Sequence, residues 1–221
     1  MRTVVITGVG RGIGKALAEK FVSEGFSVSG TSQSGEADVV GAYVYRLDLR
    51  DPGSIAHTVK DIRARTPSID ILINNAGVLL DEDETILVPK LLRDTLEVNL
   101  LGTITFTEDL KDIISQGGHI INISSTAGSL VLANGTSSHF PRHYPAYKIS
   151  KSALNMYTRT LAVELEGKAI VSSVHPGWVK TDIGGEEADV TPAESANGIY
   201  LFSVSRPETG QFWFNGKKIP W

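Results

Sequence analysis

The sequence predicts a single α/β domain in which helices flank a doubly wound parallel sheet of about seven strands. Three observations favour this class. Short runs of apolar, mostly β-branched residues alternate with amphipathic stretches, a pattern typical of strand–helix–strand units. A glycine-rich turn follows the first run, and the 221 residues suffice for one well-buried core but not comfortably for two. Because no repeat or linker interrupts the chain, we expect residues 1–221 to form one domain.

Several short segments have the composition of strands. They are residues 3–7, 26–30, 42–47, 69–73, 119–124, 170–175 and the region around 212–214. In open parallel sheets, ligands bind beyond the carboxyl ends of the strands. We therefore expect site residues immediately after these segments.

Apolar residues at helical spacing predict the helices that cover the sheet. Two such sets mark the helices after the first and third strands: Ile13, Leu17 and Phe21, and Ile55, Val59 and Ile62. Longer helical regions are expected around 101–115 and 146–166. Residues 133–145 and 184–191 have the composition of loops, and we expect the first of these loops to lie beside the substrate.

Composition and charge argue against several classes of partner. The chain is 41% hydrophobic and 21% charged, with a formal net charge of −4, which disfavours a nucleic-acid partner. It has no cysteine, and Pro141 keeps His139 and His143 from sharing a helix, so we expect no metal. No apolar run is long enough to span a bilayer or to serve as a signal-peptide core. We therefore expect a cytoplasmic protein with no membrane partner.

The glycine-rich turn between the first strand and the first helix suits a phosphate ligand. Gly8 permits a tight turn, Gly12 lets the backbone approach a pyrophosphate, and Gly14 lets the helix pack close to the sheet. The unpaired N–H groups and the dipole at the helix start then favour phosphates. The alternative is a glycine-rich turn that binds nothing.

Tyr147 and Lys151 are the strongest candidates for proton transfer. Residues four apart share one helix face, so both side chains can reach one site. A free phenol has a pKa of about 10, and a nearby ammonium favours the phenolate, as does the start of a helix. Tyr144 and Lys148 have the same spacing, but Pro145 suits the first helical position and leaves Tyr144 outside the helix. We therefore favour Tyr147.

These motifs, in this order, resemble those of the short-chain dehydrogenase/reductase family. The resemblance extends from Thr3 to about Thr181 and implies a compact, Rossmann-like oxidoreductase. The C-terminal segment from Phe212 to Trp221 more loosely resembles carbonyl reductases of the sniffer and C-factor type. The matching motifs are Thr7-Gly8-x-x-x-Gly12-x-Gly14, Asn74-Asn75-Ala76-Gly77, Ser124-Ser125-x-x-Gly128, Tyr147-x-x-x-Lys151 and Pro176-Gly177-x-x-x-Thr181.

The resemblance implies roles for individual residues. Four would form the catalytic group, namely Asn99, Ser125, Tyr147 and Lys151. The nicotinamide cofactor would be held by Gly8, Gly10, Arg11, Gly12, Ile13, Gly14, Asp48, Leu49, Asn75, Ala76, Gly77, Tyr147, Lys151, Pro176, Gly177, Val179 and Thr181. Among these, Asp48 corresponds to the acid that contacts adenine in the family. Asn99 corresponds to the residue that positions a water in a locally disturbed helix.

The end of the second strand predicts that NADP(H) is preferred over NAD(H). An NAD-selective site usually places a carboxylate there, whereas residues 30–34 contain no acid. Ser32 and Gln33 could donate to a 2′-phosphate, and Arg11 could add a charge-assisted contact. The alternative is a solvent-facing Arg11 beside an unselective pocket.

The expected activity is hydride transfer between the nicotinamide and a small carbonyl or alcohol substrate. An alternative is a 3-oxoacyl-carrier-protein reductase, which the glycine turn also resembles. A further alternative, of another class, is a non-catalytic NADP(H)-binding sensor of the C-factor kind, which would not need Tyr147 as a proton donor. The apolar positions of the two long helices fit a homodimer or homotetramer, as in many family members, and fit core packing equally well.

Overall fold

One mostly parallel sheet organises the protein in the computed structural model, which describes residues 1–132 and 143–221. Within those residues the sheet has eight strands, in the order β3-β2-β1-β4-β5-β6-β7-β8. They are β1 (Thr3–Thr7), β2 (Ser27–Ser32), β3 (Ala42–Arg46), β4 (Ile69–Asn74), β5 (Ile114–Ile123), β6 (Ala169–Val174), β7 (Gln211–Phe214) and β8 (Lys217–Lys218). All neighbours pair in parallel except β7 and β8, which are antiparallel. The strand order reverses between β1 and β4, the point where such sheets bind ligands.

Helices cover both faces of this sheet. In the described residues they are α1 (Gly12–Ser23), α2 (Pro52–Arg65), α3 (Pro89–Leu96), α4 (Thr103–Glu108), α5 (Pro145–Glu164) and α6 (Pro192–Ser203). A π-helical segment, Glu97–Gly102, joins α3 to α4. Side chains alternate between the two faces, so Leu72 packs in the cluster with α2, α4 and α5, whereas Ile71 and Ile73 pack in the cluster with α1 and α6. Burial on both faces explains the almost continuously apolar strands.

The structure confirms the predicted fold class and corrects several of its elements. The helix expected around 101–115 is confirmed only in part, because α4 covers Thr103–Glu108 and β5 already begins at Ile114, which pairs with Ile69. The sequence analysis did not predict α3, α6 or β8. Strand β2 extends to Ser32, two residues beyond the predicted end. Most of the loop predicted at 133–145 lies outside the described residues.

The described residues also show no helix long and apolar enough to cross a membrane. The same part of the chain contains no group of three or more histidine, cysteine, aspartate or glutamate side chains that could hold a metal ion. His139, one of the two histidines considered above, lies outside the described residues.

His119, in β5, is buried in a neutral form. Its Nδ1 lies 3.2 Å from the carbonyl oxygen of Ser203, and its Nε2 lies 3.0 Å from the hydroxyl of Ser172. Because a carbonyl only accepts, Nδ1 carries the proton and Nε2 accepts from Ser172. Burial lowers the pKa of His119 from 6.5 to about 4. The folded protein therefore resists protonation at a residue that the unfolded chain protonates readily.

We expect this histidine to make the fold acid-sensitive. Its contribution to stability is complete above pH 6.5 and is lost as the pH falls through about 4, since only the unfolded chain binds the proton in that window. The loss amounts to about 3 kcal/mol. Urea unfolding at several pH values should show that His119→Gln reduces this dependence and leaves the part due to His175, whose pKa burial also lowers to about 4, with the exposed His57→Gln as the surface control. A wild-type pH dependence in His119→Gln would contradict the assignment.

Candidate active site

The glycine turn lies at the point where the strand order reverses. Gly8 and Gly12 have φ angles of +76° and +56°, which residues with a side chain rarely adopt. A Cβ on Gly14 would lie 2.0 Å from the carbonyl oxygen of Gly8, so α1 packs directly against the turn. The three glycines thus bring the start of α1 to the carboxyl edge of the sheet.

The segment after β4 supports this turn. The Thr7 hydroxyl accepts hydrogen bonds from the backbone N–H groups of Asn75 and Ala76, both at 3.0 Å. The Asn75 side chain donates to the carbonyl oxygens of Thr7 and Gly8, at 2.9 and 3.3 Å. A Cβ on Gly8 would approach the Cα of Ala76 to 3.0 Å. The two segments therefore form one rigid unit.

The start of α1 fits a pyrophosphate. Arg11 occupies the cap position, but its side chain makes no capping hydrogen bond. The first N–H groups of the helix, which include those of Gly12 and Ile13, have no partner within it and favour an anion. The glycines of the turn have no side chains, which leaves room for a pyrophosphate above it. The residues present thus fit the phosphates of a dinucleotide.

The end of β2 contains the residues considered for a 2′-phosphate. The Ser32 hydroxyl donates to the carbonyl oxygen of Glu36 at 2.8 Å and accepts from the N–H of Gly35 at 3.0 Å, so it is engaged in its own turn. Gln33 is exposed. The Arg11 guanidinium lies 2.8 Å from the carboxylate of Asp182, and both side chains are largely exposed. Arg11 is thus paired with an acid of this chain.

Asp48 and Leu49 follow β3 at the same edge. The Arg50 guanidinium donates to both carboxylate oxygens of Asp48, at 3.0 and 2.8 Å, and this contact lowers the pKa of Asp48. Leu49 is buried, and its carbonyl oxygen would lie 2.0 Å from a Cβ on Gly102. Gly102 therefore allows the π-helical segment to pack on this loop.

The loop after β6 faces the glycine turn. The methyl group of Thr181 would lie 3.2 Å from a Cβ on Gly12. Val179 is buried and pairs with Val190 in an isolated bridge. Pro176 accepts a hydrogen bond from the Ser195 hydroxyl at 2.7 Å. Gly177, at a φ of +91°, makes the turn between these contacts, so the cleft has a second wall.

Helix α5 brings Tyr147 and Lys151 together. Pro145 is its first residue, and Tyr144 lies outside it with a φ of +48°, as predicted from the position of the proline. The Nζ atom of Lys151 lies 5.6 Å from the centroid of the Tyr147 ring. The same Nζ donates to the carbonyl oxygen of Ile123 at 2.9 Å, which ties the helix to the end of β5.

Ser125 lies in the turn that follows β5. Its hydroxyl accepts from the N–H of Ala127 at 3.1 Å, and its interaction with the Tyr147 phenol lowers the pKa of Tyr147, against a larger rise from burial. A Cβ on Gly128 would lie 2.6 Å from the carbonyl carbon of Lys151, so this turn packs directly against α5. The Ser125 and Tyr147 side chains therefore meet in one cleft.

Asn99 is buried in the π-helical segment and completes the group. Its side chain accepts from the N–H of Val78 at 2.8 Å and donates to the carbonyl oxygen of Val78 at 2.9 Å. It also donates to the Ser150 hydroxyl at 3.1 Å. A Cβ on Gly77 would lie 3.2 Å from Asn99 Oδ1 and 3.6 Å from Lys151 Nζ. Gly77 thus lies between the amide and the ammonium.

Two contributors to this cleft were missed by the sequence analysis. Ser150 is fully buried and donates from its hydroxyl to the carbonyl oxygen of Tyr147 at 2.7 Å, linking that residue to Asn99. Its position three residues after Tyr147 was the available signal. The Ile123 carbonyl gave no signal, because a backbone acceptor has no sequence signature.

Burial dominates the electrostatics of the pair. It raises the pKa of Tyr147 from 10.0 to about 12, an increase that the hydrogen bond with Ser125 partly offsets. It lowers the pKa of Lys151 from 10.5 to about 8. The direction for Tyr147 differs from the sequence expectation of a lowered pKa. The physical reason is that the ammonium lies near the ring and donates to Ile123 rather than to the phenol.

The fold and the cleft are those of a dinucleotide-binding α/β enzyme, and comparisons with known proteins specify the family. The family model for short chain dehydrogenases matches residues 2–191. The 3-oxoacyl-[acyl-carrier-protein] reductase FabG of Aquifex aeolicus is 34% identical, over 92% of this chain and 84% of that protein. The C-signal protein of Myxococcus xanthus is 32% identical, over 71% of this chain and 95% of that protein.

Solved structures agree with these relatives. The carbonyl reductase Sniffer of D. melanogaster superposes with a TM-score of 0.85 at 26% identity, covering 100% of both chains. The NADPH-bound carbonyl reductase from chicken fatty liver gives 0.87 at 26% identity, covering 100% of this chain and 94% of that one. The chain belongs to the short-chain dehydrogenase/reductase family and is an oxidoreductase, as its motifs predicted.

Proposed function

We propose that the chain is an NADP(H)-dependent oxidoreductase that interconverts a carbonyl and an alcohol, with Tyr147 as the general acid and base. The observation that carries this proposal is the approach of Lys151 Nζ to 5.6 Å from the Tyr147 ring, in the cleft that also holds Ser125. The nicotinamide supplies or accepts the hydride when the cofactor is bound. The similar chicken carbonyl reductase, which has NADPH bound, supports the choice of cofactor.

Four groups of residues in this chain would hold the cofactor. The start of α1, including Arg11, Gly12 and Ile13, would hold the phosphates. The loop from Pro176 to Thr181 would border the nicotinamide end. Between them, Asn75, Ala76 and Gly77 support the turn and line the cleft. Tyr147 and Lys151 complete this binding surface.

Proton transfer then follows from the cleft. In the reductive direction the Tyr147 hydroxyl gives its proton to the oxygen that becomes the alcohol, while Ser125 donates a hydrogen bond to the same oxygen. A Lys151 pKa of about 8 lets this ammonium exchange a proton near neutral pH, so it can resupply Tyr147. Asn99 holds Val78 through two hydrogen bonds and Ser150 through a third.

NADPH consumption against a panel of carbonyl compounds tests the proposed activity. The panel should include aldehydes, ketones, quinones and acetoacetyl thioesters. The 34% identity to the Aquifex reductase favours a second candidate, reduction of 3-oxoacyl thioesters, which preferential turnover of the acetoacetyl thioester would support. Tight NADPH binding with no turnover of any compound would instead indicate a sensor and overturn both proposals.

We expect kcat/KM for NADPH to exceed that for NADH by about tenfold or more, the effect of one charge-assisted contact. Arg11 is the side chain at the glycine turn that can make this contact once it leaves Asp182. Arg11→Ala should therefore lower kcat/KM for NADPH and leave that for NADH nearly unchanged, so NADH is the internal control. A higher kcat/KM for NADH in the wild-type protein would overturn the predicted preference.

A further inference from the structure

Asp81 caps the helix that carries the proposed proton donor, although it lies more than sixty residues away in the chain. Asp81 is buried, with 2% of the residue exposed. Its carboxylate accepts from the backbone N–H of Ala146 at 2.6 Å and from that of Tyr147 at 3.3 Å, contacts separated by 65 and 66 residues. These are the second and third positions of α5, whose N–H groups a capping side chain normally satisfies.

Among the described residues next to the start of α5, Tyr144 and Pro145 do not take this role. Tyr144 occupies the cap position in a left-handed conformation, without a capping hydrogen bond from its side chain, and Pro145 has no N–H group. The N–H of Tyr144 donates instead to the carbonyl oxygen of Glu84 at 2.9 Å. The segment from Asp81 to Glu84 therefore holds the start of α5 through three hydrogen bonds.

The same segment connects to the other half of the cleft. Asp81 follows closely on Val78, whose backbone N–H and carbonyl are both bound by Asn99. One short stretch of chain thus contacts the π-helical segment at one end and the first turn of α5 at the other. A carboxylate is well suited to this place, because an anion at a helix start gains from the dipole and from charge-assisted hydrogen bonds.

We propose that Asp81 is a positioning residue, which fixes the first turn of α5 so that the Tyr147 hydroxyl stays at the reacting oxygen. This proposal rests on the proposed role of Tyr147. Asp81 touches no reacting atom in this scheme. Its effect should appear in kcat, since a displacement of about 1 Å can cost up to a hundredfold in rate. Its effect on NADPH binding should be small, because α1 and the loop after β6 would hold the phosphates and the nicotinamide end, and Tyr147 and Lys151 only complete that binding surface.

The first experiment compares Asp81→Ala with Asp51→Ala. Asp51 caps α2 by accepting from the N–H of Gly53 at 2.9 Å, so its removal also costs one helix cap. We expect kcat of folded Asp81→Ala to fall by about tenfold or more, with the NADPH Kd close to wild type, and kcat of Asp51→Ala to be unchanged. Asp81→Asn retains an acceptor oxygen and should recover part of the loss.

If Asp81→Ala does not fold, Asp81→Asn is measured in its place. Its kcat should then be lower than that of the wild-type protein, and its Kd for NADPH should be the same. A lower melting temperature with wild-type kcat would overturn the proposal and make Asp81 a purely structural cap. A weaker NADPH Kd as the main change would overturn it as well.

A double-mutant cycle separates this proposal from that for Tyr147. If Asp81 acts through the Tyr147 hydroxyl, Asp81→Ala should have little further effect on the residual turnover of Tyr147→Phe. Fully multiplicative losses would show that Asp81 acts elsewhere. Wild-type turnover in Tyr147→Phe alone would instead remove the proposed proton donor, and with it the basis of the Asp81 proposal.

Discussion

Tyr147→Phe is expected to lower kcat by about two to four powers of ten, the usual contribution of a positioned general acid. The substitution removes only the hydroxyl. It keeps the ring that packs edge-on against Tyr144, with centroids 6.1 Å apart, and that lies beside Lys151 Nζ. A phenol is protonated at neutral pH even at its ordinary pKa of 10.0, and burial raises the pKa of Tyr147 to about 12, so the proton is present for donation. Cofactor binding should survive.

Tyr144→Phe is the matched control for this experiment. Tyr144 has the same spacing to Lys148 as Tyr147 has to Lys151, but it lies outside α5. Steady-state NADPH oxidation, with NADPH affinity from quenching of protein fluorescence, should show a large loss of kcat for Tyr147→Phe only. Comparable turnover in Tyr147→Phe and wild type would refute the assignment, and a large loss in Tyr144→Phe alone would move the role to the other tyrosine.

The sequence could predict most of the sheet because strands buried on both faces are recognisable by composition alone. The family resemblance implied a locally disturbed helix at Asn99, which the structure shows as the π-helical segment Glu97–Gly102 with Asn99 buried. The residues themselves did not predict α3. The strand β8 is two exposed lysines, whose composition gives no sign of pairing. The start of β5 at Ile114 falls within the helix predicted around 101–115.

The sequence could predict those parts of the candidate site whose positions depend on residues adjacent in the chain. Pro145 fixes the start of α5 and so distinguishes Tyr147 from Tyr144. By contrast, Asp81 was not predictable, because its partners are backbone groups 65 and 66 residues away. The direction of the Tyr147 pKa was also beyond the sequence. It depends on how deeply the ring is buried and on whether Lys151 points to the hydroxyl or to the Ile123 carbonyl.

Gly14→Ala should destabilise the protein and weaken NADPH binding, although alanine is normally the better residue in a helix by about 1 kcal/mol. The added Cβ would lie 2.0 Å from the carbonyl oxygen of Gly8 and 2.5 Å from the Asn75 amide nitrogen. Both neighbours belong to the rigid unit formed by the glycine turn and the segment after β4. Relieving the contact requires α1 to move away from the turn, at a typical cost of about 1–3 kcal/mol.

Gly198→Ala is the control that isolates this effect. Gly198 lies inside α6, and a Cβ there would meet no atom within 4 Å, so the substitution should stabilise the protein by about 1 kcal/mol. The same chemical change is thus expected to have opposite effects on stability in the two helices, because the added Cβ meets another backbone at Gly14 and no atom within 4 Å at Gly198. Urea unfolding measures both, and NADPH titration should show weaker binding for Gly14→Ala alone. If both substitutions stabilise the protein, the glycine turn can move to accept the added Cβ at little cost in free energy. Close packing at Gly14 would then not determine the geometry of the phosphate site.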